Sequence, residues 1–114
     1  MSYIVTPFEV SSKSLGAPVH CRFVHLLSGI ATRHSDTIDS VFLVDGRRLL
    51  VTISCAALSE LRDRELKPLT DQQLADIAAI FLRRTLEQGY DTTLAELALS
   101  DESLRAIGRE LGFL

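Results

Sequence analysis

The stretch IDSVFLVDGRRLLVTISCAALSELRDREL, residues 38–66, decides the fold of this chain. It begins with an apolar run rich in β-forming residues and passes through Asp45-Gly46 into a second such run. An Asp-Gly pair accepts the positive φ angles of a two-residue type I′ turn, so the stretch predicts a β-hairpin. A helix over residues 54–66 is predicted to follow, because the hydroxyl of the serine at its start can cap it.

The predicted hairpin, residues 38–54, has one strongly apolar face and one half-apolar face. A two-residue loop places Phe42 opposite Leu49, and side chains alternate between the two faces of a strand. The predicted core face consists of Ile38, Phe42, Val44, Leu49, Val51 and Ile53. The other face consists of Asp39, Val41, Leu43, Arg48, Leu50 and Thr52. A three-residue loop with a bulge at Gly46 would shift this register, and the sequence leaves both loops open.

Length, composition and charge favour a single domain over residues 1–114 with a substantial apolar core, since 46% of the residues are hydrophobic. The net charge of −3 disfavours nonspecific nucleic-acid binding but allows a local basic patch. No run reaches the roughly 18 apolar residues of a membrane span, and the first ten residues do not resemble a signal peptide. We expect a cytoplasmic protein without a cofactor. Cys21 and Cys55 are expected as free thiols, although a disulfide between them stays open.

The clearest helix is predicted over residues 71–88. Thr70 and Gln73 have the spacing of a capping box, and Gly89 is expected to end the helix. Its predicted apolar face consists of Leu74, Ile77, Ala78, Phe81, Leu82 and Leu86. We expect this helix to supply most of the core that covers the hairpin.

The remaining segments are less uniform. A short strand is expected within residues 3–10, and two short helices are predicted over residues 94–99 and 101–111. Residues 19–33 have apolar side chains at helical spacing, which favours a helix, but their β-forming residues also allow a strand ending near Leu27. The predicted fold class is therefore α+β: a small antiparallel sheet built on the hairpin and packed by three to five helices.

His20, Cys21 and His25 are candidate metal ligands. On a helix, Cys21 and His25 would lie one turn apart, a spacing that can hold a metal ion. His34 and Cys55 could add ligands from other segments. A convincing zinc site normally shows paired cysteine or histidine spacings, so we predict a surface histidine and a buried cysteine instead.

Asp36, Asp39 and Asp45 are candidate acid–base residues. Carboxylates in loops usually accept hydrogen bonds from nearby backbone groups, which is the simpler interpretation here. The sequence has no serine-elbow motif, no glycine-rich phosphate-binding loop and no HExxH motif. We therefore predict that the protein is not an enzyme.

Arg47 and Arg48 at the hairpin turn, together with Arg83 and Arg84 on the long helix, are candidate contacts for phosphates or an acidic partner. Such a role requires the four arginines to converge on one surface. Acidic residues such as Glu87 are interleaved with them, a pattern that favours an ordinary solvated surface.

Residues 38–90 resemble a family of small bacterial proteins of unknown function. Members of that family have a strand, a glycine-containing turn, a strand ending in Ile-Ser and a helix beginning Ala-Leu. The matching residues here are Gly46, Ile53, Ser54, Ala57 and Leu58. Separately, LALSDESLRAIGREL is similar to a helical motif of another set of tiny bacterial proteins, with Ala106 where an aspartate is usual. Neither resemblance implies a catalytic residue.

These observations favour a noncatalytic protein-interaction or regulatory module that forms a homodimer. The half-apolar hairpin face and the C-terminal end supply the candidate interface residues, which are Val41, Leu43, Leu50, Phe113 and Leu114. One alternative is a nucleic-acid-binding regulator that uses the arginines and the C-terminal helices. Another is a small metal- or thiol-dependent enzyme.

Overall fold

The computed structural model describes residues 5–11, 18–29, 37–65, 69–88 and 96–114. Within these ranges the elements are β1 (Phe8–Val10), β2 (Val19–Gly29), β3 (Thr37–Val44), β4 (Arg47–Ser54), α1 (Cys55–Glu65), α2 (Asp71–Glu87), β5 (Glu96–Leu99) and α3 (Asp101–Glu110). The predicted α+β class is confirmed. The number of described helices is at the lower end of the predicted range.

The five described strands form one sheet in the order β1-β2-β3-β4-β5. Neighbours from β1 to β4 are antiparallel, whereas β5 pairs with β4 in parallel. Parallel neighbours need a crossover connection, and the segment containing α1 and α2 provides it. The predicted hairpin is present as β3 and β4, the third and fourth strands in this order. The predicted sheet was antiparallel throughout, whereas the described sheet is mixed, because β5 is parallel to its neighbour.

The β3–β4 turn has the predicted two-residue geometry. Asp45 has φ 50° and Gly46 has φ 79°, as a type I′ turn requires. Phe42 therefore pairs with Leu49, which confirms the predicted register and excludes the bulged alternative. The Asp45 N–H donates to the His20 carbonyl at 2.8 Å, and the His20 N–H donates to the Asp45 carboxylate at 2.9 Å. The turn is thus tied to β2 as well.

The core lies between one face of the sheet and the three described helices. Buried side chains of the sheet in this cluster include Val10, Cys21, Phe42, Val44, Leu49, Val51, Ile53, Leu97 and Leu99. The helices contribute two residues of α1, six of α2 and two of α3. These are Ala57, Leu61, Leu74, Ile77, Ala78, Ala79, Leu82, Leu86, Leu104 and Ile107. The predicted core face of the hairpin is the face that the helices cover.

The start of α2 confirms the predicted capping box. The Thr70 hydroxyl accepts from the Gln73 N–H at 3.2 Å, and the Gln73 side-chain oxygen accepts from the Thr70 N–H at 2.9 Å. Two donors that the first turn leaves without helical partners are thereby satisfied. Phe81 is only half-buried, so it contributes less to the core than the sequence suggested. Gly89, the predicted helix stop, lies outside the described residues.

The helical alternative for residues 19–33 is wrong over the described part, because residues 19–29 form strand β2. The register of β2 against β3 shifts between Phe23 and His25, which marks a β-bulge. A bulge adds one residue to one strand, so the core-facing positions no longer recur at every second residue. Val19, Phe23 and Leu26 consequently have helix-like spacing although they belong to a strand.

The predicted helix over residues 94–99 is also wrong. Residues 96–99 form β5, in which Leu97 and Leu99 are buried while Glu96 and Ala98 are exposed. This two-residue alternation is the pattern of a strand with one buried face. Pairing with β4 places Leu97 beside Val51. Residues 94 and 95 of the predicted helix lie outside the described residues.

The C-terminal turn folds back over α3. Gly112 has φ 78°, and the Phe113 N–H donates to the Gly108 carbonyl at 2.8 Å, which completes a Schellman motif. A Cβ atom on Gly108 would lie 2.8 Å from Leu114 Cδ1, so a larger residue at position 108 would require the Leu114 side chain to shift. Phe113 and Leu114 are half-buried and pack against the core of their own chain.

Truncation of α2 side chains tests this description of the core. Leu82 is 0% exposed, so Leu82→Ala should lower the free energy of unfolding by about 2–5 kcal/mol. Phe81→Ala should cost less, because the ring already contacts solvent. Urea unfolding of both variants provides the measurement. A larger loss for Phe81→Ala than for Leu82→Ala would show that the buried side of α2 is misassigned.

Candidate functional site

The face of the sheet opposite the helices is the first candidate site, and we name it the outer face. Its side chains alternate with the buried ones along β2, β3, β4 and β5. The outer face includes Arg22, Val24, His25, Asp39, Val41, Leu43, Arg48, Leu50, Thr52 and Glu96. The three described helices all pack on the other side of the sheet.

The centre of the outer face is apolar. Leu43 and Leu50 are half-buried, and Val24, in the bulge of β2, is 40% exposed. Val41 points to the same face but is only 3% exposed, with Leu50 and His25 as its cross-strand neighbours. Of the hairpin residues predicted as an interface, Leu43 and Leu50 therefore offer contact area, and Val41 offers little.

Charged residues lie at both ends of the outer face. Arg22 and Arg48 flank Leu43 in one row across β2, β3 and β4. At the other end Asp39 occupies β3, and its carboxylate accepts from the Thr37 hydroxyl at 2.8 Å. Both arginines are exposed, and Asp39 is half-buried. The two arginines thus lie at one end of the outer face and Asp39 lies at the other.

The candidate metal ligands do not come together. Because the segment is a strand, Cys21 points into the core while His20 and His25 lie on the outer side. The His20 Nδ1 lies 3.2 Å from a Glu9 carboxylate oxygen. Cys55 lies in the first turn of α1, and His34 is outside the described residues. Among the residues that the structure describes, no group of three or more histidines, cysteines, aspartates or glutamates could hold a metal ion.

Cys21 and Cys55 are free thiols in the structure. Burial raises the pKa of Cys21 from 9.0 to about 11, with a smaller contribution from the Asp45 carboxylate. Arg83 acts in the opposite direction by stabilising a thiolate. Cys21 is buried in the core, and a thiol that stays protonated well above neutral pH is a poor nucleophile.

Two of the candidate acid–base residues bind nearby polar groups. Asp45 binds the His20 backbone in the hairpin turn, and Asp39 binds Thr37. Asp36 is outside the described residues. The interpretation of Asp45 as a turn residue fits these contacts.

Three of the four candidate arginines have separate surroundings, and the fourth, Arg47, pairs with Val44 beside the hairpin turn. Arg84 makes a two-point ion pair with Glu110 of α3, at 2.6 and 3.1 Å, which lowers the pKa of Glu110. The Arg83 guanidinium lies over the Phe8 ring, 5.3 Å from its centroid. Arg48 points to the outer face, on the side of the sheet away from α2. These positions do not form the single basic patch that phosphate binding by all four would require.

A groove on the helical side is a second candidate site. Segment 5–8, α2 and the C-terminal turn line it, and its volume is about 500 Å³. Arg83 and Asp76 are its charged residues. The sequence did not reveal this groove, because its walls are distant in the chain and no local pattern predicts that they meet.

The raised pKa of Cys21 predicts a pH dependence of stability. The unfolded thiol loses its proton near its ordinary pKa, whereas the folded thiol keeps it until about pH 11. Stability from this group is therefore present below pH 9.0 and is lost as the pH rises toward 11. Urea unfolding of the wild type and Cys21→Ala at about pH 8 and about pH 10.5 should show a steeper loss for the wild type. Equal losses in the two proteins would contradict this prediction.

Comparison with known proteins leaves the family of the chain unassigned. No protein-family model matches it, and no curated protein or solved structure is significantly similar to it. The resemblance of residues 38–90 to a small bacterial family stays a prediction. None of the described helices is both long and apolar enough to cross a membrane.

Proposed function

We propose that this chain is a noncatalytic protein-interaction module that forms a homodimer through the outer face of its sheet. The observation that carries the proposal is the apolar centre formed by Val24, Leu43 and Leu50 on the side of the sheet away from the described helices. Contiguous apolar surface on a soluble domain commonly marks an interface. Two-fold dimers are the commonest closed assembly of identical chains.

Burial of the apolar side chains on the uncovered face of the sheet would stabilise such a dimer. Removing apolar surface from water contributes roughly 25 cal/mol per Å². Leu43 and Leu50 have already lost part of their exposure to neighbouring strands, and a second sheet stacked about 10 Å away would cover the remainder. Face-to-face stacking of two outer faces would thus complete the burial that the helices achieve on the other side.

The charges favour one orientation of the two copies. A two-fold axis that runs across the strands, along the row of Val41 and Leu50, places the arginine end of one copy over the Asp39 end of the other. Arg22 and Arg48 then lie near Asp39 of the partner subunit. An axis parallel to the strands would bring arginines of β2 and β4 together, and like charges at an interface are unfavourable. We therefore propose the arrangement in which the strands of the two copies run antiparallel.

The candidate chemical groups support a noncatalytic role. Asp45 holds the hairpin turn, and the Cys21 thiol is buried with a raised pKa. His20 is exposed, and its Nδ1 lies 3.2 Å from a Glu9 carboxylate oxygen. These contacts give each group a structural role without requiring a substrate.

Charge exchange on the outer face tests the proposed dimer. Light scattering across a dilution series should show a wild-type dimer that dissociates on dilution. Leu43→Lys should abolish the dimer, and Arg48→Asp should raise its dissociation constant about tenfold, the equivalent of 1.4 kcal/mol. Adding Asp39→Arg to Arg48→Asp should restore much of the affinity. In the proposed dimer, position 48 of one copy lies near position 39 of the other, so the double variant again places opposite charges together.

The matched control is Arg62→Asp, which makes the same charge change at an exposed position on α1. It should leave the dissociation constant unchanged. Thermal melts of every variant separate a lost interface from a lost fold. A wild-type protein that is monomeric at every concentration would refute self-association. A dimer equally weakened by Arg62→Asp and Arg48→Asp would place the interface elsewhere.

A further inference from the structure

The groove on the helical side of the molecule has the properties of a ligand site. Its apolar lining consists of Val5, Pro7, Phe8, Ile80, Leu111 and Phe113. Its volume of about 500 Å³ lies within the range of small-molecule sites. It is on the opposite side of the sheet from the outer face, so it is independent of the proposed dimer surface.

The apolar side chains that line the groove are only partly buried by the core. Phe8, Ile80 and Phe113 each pack one side against the core and remain half-buried. Leu111 is 38% exposed and is, with Val24, one of two exposed large hydrophobic residues among those described. The buried Ala79 also lines the groove, where its short side chain leaves room above α2. An apolar chain in the groove would cover all of these side chains.

Arg83 is the positively charged residue that lines this groove. Its guanidinium lies on the Phe8 ring, 5.3 Å from the centroid, and the side chain is exposed. The adjacent Arg84 is paired with Glu110, whereas the described part of the chain contains no carboxylate within ion-pair distance of Arg83. A guanidinium that stacks on a ring keeps its N–H edge available for two-point binding of a carboxylate.

Asp76 gives the groove a second charge, of opposite sign to Arg83. It lies seven residues before Arg83 on α2, a separation of about 10 Å along the helix axis. Its carboxylate accepts from the Gln72 side chain at 3.1 Å. A ligand with a negative group is therefore favoured with that group at Arg83, and its uncharged part is favoured toward Asp76.

We propose that the groove binds a long-chain fatty carboxylate. The carboxylate pairs with the Arg83 guanidinium, and the hydrocarbon chain lies against Phe8, Ile80 and Leu111. Charge complementarity with Arg83 selects an anionic head group, and the apolar walls select a hydrocarbon chain without polar substituents. This role does not depend on self-association of the outer face.

The test uses dodecanoate below its micelle concentration, with titration calorimetry and the NMR signal of the Arg83 side-chain Nε–H as readouts. Dodecanoate should bind and shift that signal. Dodecanol and dodecyltrimethylammonium have the same chain with a neutral or positive head group, and both should bind at least about tenfold more weakly. Arg83→Gln should weaken dodecanoate about tenfold and leave dodecanol unchanged, whereas the matched control Arg62→Gln should change neither.

Leu111→Glu is the second variant, since it places a carboxylate on the groove wall without touching Arg83. It should weaken dodecanoate, and Leu111→Met should not. Equal binding of dodecanol and dodecanoate, or no effect of Arg83→Gln in a folded variant, would overturn the proposal. A protein that ignores dodecanoate but dissociates from dimer to monomer on Leu111→Glu would also overturn it, because the groove would then be a contact between copies.

Discussion

The two-residue turn at Asp45 and Gly46 is the constraint on which the rest of the structure depends. Both residues adopt positive φ angles, and this geometry sets Phe42 opposite Leu49. A slip of one residue would move every side chain of a strand to the opposite face. The turn therefore decides which hairpin residues enter the core and which, such as Leu43, remain on the outer face. Its hydrogen bonds to the backbone of β2 extend that control to a third strand.

The sheet is covered by described helices on one side only, and the two sides differ accordingly. Side chains such as Phe42 and Ile53 on the helical side are completely buried. On the outer face Leu43 and Leu50 remain half-buried. The crossover from β4 through α1 and α2 returns the chain to the sheet as β5, parallel to β4. The three described helices thereby pack in one core, and the other face is the surface on which the proposed dimer depends.

Short sequence patterns correctly predicted those elements whose conformation is determined by residues adjacent in the chain. The hairpin register and the Thr70 capping box were correct because a few adjacent residues determine each. For residues 19–33 the sequence favoured a helix over the strand that it also allowed, because the bulge of β2 near Val24 disturbs the two-residue period. Strand β5 depends on pairing with β4, a partner more than 40 residues away at Val51–Leu97. The groove beside Arg83 depends on distant segments meeting, so local patterns could not predict it.

Access of a soluble paramagnetic probe to methyl groups tests the role of the outer face most directly. At concentrations where the chain is monomeric, the probe should increase the NMR relaxation rates of the Leu43 and Leu50 methyl groups. The buried methyl groups of Ile77 and Leu82 should stay protected from the probe. At concentrations where the dimer forms, Leu43 and Leu50 should become protected and Leu111 should not change. Protection of Leu43 and Leu50 in the monomer, or their continued exposure in a dimer, would contradict the outer face as the contact surface.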